Sequence, residues 1–286
     1  MGEETVSTPK DIAETFNHHF ASVGKKLAFD IPLSAVEPDV YVVPAETTFS
    51  IESPNINAVY RKLKTLNIGK AAGLDRIPCK LLKIAAEVVA PSLTHIFDKI
   101  ICTSIFPNEW KLARVTPIYK KGKKDDMDNY RPISVISVVA KIFEKLIFEQ
   151  LYEYLNNNNL ITASQSGFRS LHSTLTALIE ATDKWSINID NKLLNGVIFI
   201  DLKKAFDTID HAILLRKLQM YGVDQNGIKF FESQLTYGVP QGGDLGPLLF
   251  LIYINDLTNC LETATPRMFA TTLILLSQQN LLQSSN

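Results

Sequence analysis

Apolar side chains recur at helical spacing along much of the chain. A first helix is predicted to begin at Thr8-Pro9, because a capping residue precedes a proline at the first helical position and Asp11 follows in the first turn. Further helices are predicted from residue 53 and over residues 78–90, 91–102, 140–155, 173–190, 210–219 and 248–257. Residues 28–52 contain three prolines and no clear period, so they are predicted to be a linker.

Strand patterns are few: one is predicted over residues 110–119 and another over the apolar run 197–200. The second run ends abruptly on Asp201, and a carboxylate at the end of a buried strand is costly unless a cation compensates for its lost hydration. Strand-end aspartates also commonly cap the next helix; this alternative stays open for Asp201 and is preferred for Asp207 and Asp210. Helices interrupted by isolated strands predict an α+β fold and not a doubly wound sheet.

The composition is that of an ordinary globular protein, with 46% hydrophobic and 21% charged residues. No run approaches the roughly 18 apolar residues that a membrane span requires. Three cysteines, Cys79, Cys102 and Cys260, form neither a zinc-binding pattern nor a disulfide framework. The acidic N-terminus lacks the apolar segment of a signal peptide. We therefore expect a soluble intracellular protein of the cytoplasm or nucleus, with no membrane and no disulfide partner.

The charge distribution modifies this picture, although the net charge is only −1. Cations without an intervening acid occupy six positions: Lys111, Arg114, Lys120, Lys121, Lys123 and Lys124. This basic loop, with Tyr119 beside it, would suit a phosphate-rich partner. A solvated lysine loop without a ligand is the alternative.

The surroundings of Asp201 favour phosphate chemistry. Phe206 follows where the chain turns from strand to helix, and Tyr130-Arg131 places an arginine beside an aromatic ring. A carboxylate with an aromatic shelf near a basic loop suits Mg²⁺ and a triphosphate, because Mg²⁺ prefers one or two carboxylates together with phosphate oxygens.

A series of longer motifs then occurs in order along the chain. They are Asn-Tyr-Arg-Pro-Ile-Ser (129–134), Gln-Ser-Gly-Phe-Arg (165–169), Phe-Ile-Asp-Leu-Lys-Lys-Ala-Phe-Asp (199–207), Gly-Val-Pro-Gln-Gly (238–242), Leu-Gly-Pro-Leu-Leu-Phe (245–250) and Tyr-Ile-Asn-Asp-Leu (253–257). From about residue 59 onward the series resembles the reverse transcriptase of non-LTR (LINE-type, jockey-like) retrotransposons.

The resemblance implies a right-hand polymerase with fingers and palm that copies an RNA template onto a DNA primer from deoxynucleoside triphosphates. Mg²⁺ is the cofactor that the family would use. On this basis the chain divides into an N-terminal helix and linker (1–52), a helical region before the fingers (53–110) and a reverse transcriptase domain (111–286).

The resemblance also implies roles for individual residues. Asp201 would bind both catalytic metals together with the backbone of Leu202, and Phe206 would be the steric gate that excludes a ribose 2′-hydroxyl. The nucleotide would contact Lys120, Lys121, Arg131, Phe206 and Gln241, since bidentate arginine and point-charge lysine suit a triphosphate. The template and primer would contact Gly167, Phe168, Arg169, Gly238, Pro240 and Gly242.

The chain departs from the family pattern at two places. The family inserts a β-hairpin where residues 235 and 238 nearly abut here. The family also has Phe-Ala-Asp-Asp-Thr between two strands, whereas this chain reads Phe-Ala-Thr-Thr-Leu at 269–273, and no carboxylate follows Glu262. The remaining palm and the thumb are not found after residue 280, so the right-hand fold is expected to be incomplete.

Loss of the paired aspartates predicts that the chain does not polymerise DNA, because two-metal phosphoryl transfer depends on carboxylates that position both ions. Four interpretations stay open: an inactive reverse transcriptase domain, a non-catalytic RNA-binding remnant, a decayed reading frame whose product barely folds, and an active enzyme whose gene model is wrong.

Overall fold

The chain folds into a helical body with two small antiparallel sheets. The computed structural model describes residues 7–29, 37–235, 242–262 and 264–280. Within these ranges the α-helices are α1 (Pro9–Phe29), α2 (Ile56–Lys64), α3 (Cys79–Ile84), α4 (Ala86–Thr103), α5 (Asn108–Lys111), α6 (Val138–Asn157), α7 (Thr174–Asp190), α8 (His211–Met220), α9 (Gln225–Gln234) and α10 (Leu245–Ile254). Three short 3-10 helices span Pro38–Tyr41, Met127–Asn129 and Asn255–Cys260.

The strands form a hairpin and a three-stranded sheet. β1 (Arg114–Tyr119) pairs antiparallel with β2 (Tyr130–Val135), and the ten-residue connection between them carries most of the basic loop. β3 (Leu193–Asp201), β4 (Thr265–Phe269) and β5 (Thr272–Asn280) lie in the order β3-β5-β4, with both pairs antiparallel. Thus the predicted mixture of helices and isolated strands is confirmed.

Local side-chain caps set several helix starts. The Asn55 side chain accepts a hydrogen bond from Ala58 N at 2.9 Å, so α2 begins three residues after the predicted Ser53. Ser173 and Thr176 form a reciprocal capping box at the start of α7, where a helix is predicted to begin. Asp210 caps α8 by accepting from Ile213 N at 3.1 Å, which confirms its predicted role.

Three predicted boundaries are wrong. The helix predicted over 91–102 begins at Ala86, with Pro91 inside it; its buried positions Ala86, Ala90 and Phe97 keep one face against the core. The strand predicted from 110 begins at Arg114, because residues 108–111 form a helical turn after Pro107. The helix predicted over 248–257 is α10, whose Pro247 lies in the first turn, where a missing N–H removes no helical bond.

The core lies among the helices. Its largest fully buried side chains include Phe97, Phe143, Phe230, Phe231 and Phe250, and the rings of Phe97 and Phe143 stack at 4.9 Å between centroids. Met268 and Leu273 join the sheet to this core. Among the described residues, no helix is long and apolar enough to cross a membrane.

Candidate functional site

Asp201 ends β3 and lies opposite Thr272 of β5 in the antiparallel register. Its carboxylate is exposed and accepts a hydrogen bond from the Thr271 hydroxyl at 3.3 Å, while Leu202 N donates to the Thr271 carbonyl at 3.0 Å. Across the described ranges it has no basic partner. The expectation of a buried carboxylate is therefore wrong: β3 is an edge strand, so Asp201 keeps its hydration and needs no compensating cation.

The turn opposite Asp201 is where the paired aspartates are replaced. Ala270 and Thr271 connect β4 to β5, and Ala270 adopts a left-handed conformation with φ 53°. The buried Gln165 side chain holds this turn: its Oε1 accepts from Ala270 N at 3.0 Å and from Gly167 N at 2.7 Å. A Cβ on Gly167 would lie 2.0 Å from Ala270 N, so only glycine fits there.

Gln165 is a functional candidate that the sequence reasoning missed. It stands first in the Gln-Ser-Gly-Phe-Arg motif, but its role depends on a turn more than a hundred residues away. Gln165 is 1% exposed, so its amide needs partners, but this burial is seen only in the structure and the sequence held no signal beyond its place in the motif.

Phe168 and Arg169 of this motif make different contacts, and Phe168 meets Phe206. The ring centroids of Phe168 and Phe206 are 6.0 Å apart in an edge-to-face arrangement. The ring centroids of Phe206 and Phe250 are 4.9 Å apart. The Arg169 guanidinium donates to the carbonyls of Thr162 at 3.0 Å and Gln165 at 3.2 Å. Arg169 therefore stabilises its own loop through these bonds.

The predicted triphosphate ligands share the β1–β2 hairpin. Arg131 of β2 lies opposite Ile118 of β1 in the antiparallel register. Lys120 directly follows β1, and its backbone N–H donates to the Asn129 carbonyl at 2.8 Å. The side chains of Lys120, Lys121 and Arg131 are all exposed. The hairpin thus presents three cations from two motifs to solvent.

An ion pair links this hairpin to the turn after Asp201. The Lys204 ammonium lies 2.7 Å from Asp128 Oδ1, in the 3-10 helix just before β2, and 3.2 Å from His19 Nε2 of α1. The hydrogen bond from Lys204 is the main cause that lowers the pKa of Asp128. Burial, followed by the positive charge of Lys204, lowers the pKa of His19, so its imidazole is neutral at neutral pH.

Asp207, in the same turn, was predicted to cap the following helix, and this is wrong. The cap is Asp210, whereas the Asp207 carboxyl lies within the turn packed against α1, where burial raises its pKa. His19 and Asp128 lie outside the motifs, and Lys204 lies in the 199–207 motif without a predicted role, since their contact exists only after three distant segments fold together.

The glycine-rich segment is described only in part. Gly238, Pro240 and Gln241 lie outside the described residues. Gly242 lies against β2, where an added Cβ would approach the Ser134 carbonyl oxygen to 2.1 Å. Gly242 therefore packs on the strand that carries Arg131.

The residues around Asp201 do not fit a pair of Mg²⁺ ions. In the part of the chain that the structure describes, no three His, Cys, Asp or Glu side chains are grouped so that they could hold a metal. The facing turn offers the hydroxyls of Thr271 and Thr272, and these neutral groups cannot replace the anionic oxygens that Mg²⁺ prefers.

Comparison with known proteins relates this arrangement to one family. The family model described as "Reverse transcriptase (RNA-dependent DNA polymerase)" matches residues 118–279, more than half of the chain. The chain is 27% identical over 93% of its length to the Drosophila melanogaster protein named "Probable RNA-directed DNA polymerase from transposon BS", of which it covers 32%.

Two further relatives are named for mobile elements. One is the "RNA-directed DNA polymerase from mobile element jockey" of Drosophila melanogaster, with 28% identity over 75% of this chain and 25% of that protein. The other is the "Retrovirus-related Pol polyprotein from type-1 retrotransposable element R2" of Popillia japonica, with 24% identity over 56% of this chain and 25% of that protein. The chain spans about a third or less of the length of these curated relatives.

Proposed function

The chain belongs to the reverse transcriptase family, as its motifs predict, and we propose that it is a non-LTR retrotransposon reverse transcriptase domain whose polymerase site is inactive. The proposal assigns residues 111–286 to this domain, 53–110 to a helical region before it and 1–52 to an N-terminal extension. The observation that supports the inactivity is that Asp201 faces threonines: it lies opposite Thr272 in the sheet and accepts a hydrogen bond from the Thr271 hydroxyl.

The physical reason is the charge and geometry needed for phosphoryl transfer. Two Mg²⁺ ions about 3.5–4 Å apart stabilise the attacking and leaving oxygens of such a reaction. Asp201 alone offers about one negative charge against four positive charges, and it cannot fix both ions at that separation. Because positioning and electrostatics supply nearly all of the catalysis, a site without this pair does not extend a primer.

The remaining residues keep binding roles in this proposal. The exposed cations of the β1–β2 hairpin, Lys120, Lys121 and Arg131, contact the phosphates of a nucleotide, and Gln241, which lies outside the described residues, is assigned to the same nucleotide. Phe206 lies under the sugar, and Gly167, Phe168, Arg169, Gly238, Pro240 and Gly242 border the template and primer. The exposure of the hairpin cations and the contact of Phe206 with Phe168 support these assignments.

Primer extension on an RNA template tests the proposal with three proteins. We expect the wild-type protein to give no product above the Asp201→Ala variant. The double variant Thr271→Asp/Thr272→Asp restores two carboxylates at the turn facing Asp201, so we expect it to bind Mn²⁺ and to recover measurable extension. Circular dichroism of all three proteins controls for folding.

Extension by the wild-type protein that disappears in Asp201→Ala would contradict the inactivity. If the restored variant binds Mn²⁺ without extending the primer, elements other than the carboxylates are also lacking. If it fails to bind Mn²⁺, loss of the two carboxylates does not explain the inactivity, and that explanation is wrong.

A second candidate function is RNA binding without catalysis, and the exposed lysines of the hairpin loop favour it. Filter binding to single-stranded RNA would then give an affinity that falls steeply with salt, because phosphate contacts release counterions. Replacing Lys120 and Lys121 with glutamine should weaken binding and reduce the salt dependence. Unchanged binding would exclude the hairpin as the RNA contact.

A further inference from the structure

The Lys204 cluster, which consists of His19, Asp128 and Lys204, joins three segments that are distant in the sequence. The Lys204 ammonium contacts Asp128 Oδ1 at 2.7 Å and His19 Nε2 at 3.2 Å. The side chains of His19 and Lys204 are largely buried. The Asp128 side chain is 50% exposed, so the charge pair is partly shielded and salt screens it less than a pair in which both side chains are exposed. The cluster therefore holds the three segments in fixed contact.

Lys204 also has an unusual backbone. Its φ is 49°, in the left-handed region that residues with a Cβ rarely adopt, and its carbonyl accepts from Asp207 N at 2.8 Å. Such a conformation persists only where the surroundings hold it. The groups that hold the side chain come from α1 and from the 3-10 helix before β2, so the turn that carries Phe206 depends on both.

α1 makes two further contacts at this place. The Phe16 ring packs edge-to-face on Tyr130, next to Arg131, with 4.8 Å between centroids. Gly24 lies so close to the turn that a Cβ there would be 2.0 Å from the Asp207 carbonyl oxygen. Helix α1 thus contacts the β1–β2 hairpin through Phe16 and the turn after Asp201 through Gly24.

We propose that α1 is a brace that fixes the β1–β2 hairpin relative to the turn bearing Phe206, with His19, Asp128 and Lys204 as its positioning residues. None of the three touches a nucleotide; each acts through the segment that it holds. The brace sets the separation between the hairpin cations and Phe206, so its consequence for nucleotide binding rests on the proposed function, whereas the mechanical coupling does not.

The sharpest test enlarges Gly24. Gly24→Leu should displace α1, while Ala21→Leu, at an exposed position on the same helix, should leave it in place. Both changes introduce a strong helix former, so a free helix would tolerate either. Hydrogen exchange measured by mass spectrometry should show exchange of residues 128–132 and 202–207 rising at least about tenfold in Gly24→Leu only, which corresponds to loss of a local opening free energy.

A second pair of variants tests the ionic joint without a steric change. Lys204→Met should loosen the same two segments, and Lys203→Met, at the exposed neighbouring position, should not. His19→Gln and its neighbour control His18→Gln complete the set. In the double variant His19→Gln/Lys204→Met the effects should be less than additive, because both residues act at one joint.

Binding of a fluorescent deoxynucleoside triphosphate in Mg²⁺ buffer gives the functional readout. We expect Gly24→Leu and Lys204→Met to raise Kd about tenfold while Ala21→Leu and Lys203→Met match the wild type. Unchanged exchange of residues 202–207 in Gly24→Leu and Lys204→Met would overturn the brace. If exchange rises as expected but the wild-type protein does not bind the triphosphate, the brace stands and the proposed nucleotide site fails.

Discussion

Glu144 lies on α6 and faces Gly243, just before the start of α10. Its Oε1 accepts a hydrogen bond from Gln234 Nε2 at 3.4 Å, and an added Cβ on Gly243 would lie 2.0 Å from its Oε2. Burial, followed by the negative charge of Asp244, raises the pKa of Glu144 to about 7. A carboxyl group packed this closely is protonated more readily in the folded chain than in the unfolded chain.

The protein should therefore lose stability as Glu144 ionises. The folded pKa of about 7 exceeds the ordinary value of 4.5, so the contribution is complete below pH 4.5 and is lost as the pH rises through 7. A shift of this size corresponds to about 3 kcal/mol. Relative to Glu144→Gln, the wild-type free energy of unfolding in urea should fall by up to about 3 kcal/mol between pH 5 and pH 8.

Glu153→Gln is the matched control, because Glu153 is exposed on the same helix. In this variant the free energy of unfolding should depend on pH as it does in the wild-type protein. If Glu144→Gln keeps that dependence too, the carboxyl of Glu144 is not the group responsible.

Single residues were predictable from the sequence where their partners are local. Asp210 caps α8 through a residue three positions away, a relation that spacing alone reveals. The exposure of Asp201 follows from its place at the edge of a sheet, and Lys204 meets His19 across 185 positions of sequence. No local pattern contains such contacts.

β3 is the most exposed apolar element of the sheet. It forms an outer strand of the order β3-β5-β4 and leaves the side chains of Leu194, Ile198, Phe199 and Ile200 exposed. Unpaired backbone groups beside apolar side chains are a template for pairing with another chain. We therefore expect this edge to drive self-association.

A charge on this edge should suppress the association. Ile198→Lys places a lysine at a position that is 60% exposed, so it should reduce aggregate formation without lowering the melting temperature by more than a few degrees. Dynamic light scattering over a concentration series measures the effect. Leu276→Lys, at a buried position of β5, should instead destabilise the fold. Equal aggregation of wild type and Ile198→Lys would show that another surface associates.

Eight of the ten α-helices that the structure describes were predicted, although with inaccurate limits, whereas α5, α9 and the strands β2, β4 and β5 were not predicted. A proline at the sixth position of a helix normally argues for a boundary, yet α4 runs through Pro91 because Ala86, Ala90, Phe97 and Ile100 present one continuous buried face. Burial of that face outweighs the lost backbone hydrogen bond. The spacing of the apolar residues indicates this buried face, whereas the low helix propensity of proline argues against a helix at residue 91.

At the scale of the whole molecule, the helical body and the sheet share one apolar core. Helices from α2 to α10 supply most of it, and the sheet adds Met268 and Leu273. The helical part of this core was foreseeable from the long helical patterns. The sheet order was not, because partner residues of β3 and β5 are 71 to 87 positions apart in the sequence. A shared core predicts that the parts unfold together.

A buried ion pair within this core provides a test of that cooperativity. Lys217 of α8 is 5% exposed and donates to Asp256, which is 4% exposed, and to the Tyr253 carbonyl at 2.7 Å. Lys217→Met leaves Asp256 charged and buried, so it should lower the free energy of unfolding by about 3–5 kcal/mol. Lys10→Met, which removes a pair whose side chains are 83% and 70% exposed, should change it by less than about 1 kcal/mol.

The double variant Lys217→Met/Asp256→Leu separates loss of the pair from loss of packing. Since an apolar pair of similar volume is often as stable as a buried ion pair, this variant should recover most of the loss. Circular dichroism and tryptophan fluorescence should report one coincident transition, as the partly buried Trp110 packs on Phe97 and Phe143 against the core. Coincident transitions that shift with Lys217 would exclude the interpretation in which the chain barely folds. Separate transitions would mean that the sheet carrying Asp201 opens independently of the helices, and the proposed site would then lack a fixed frame.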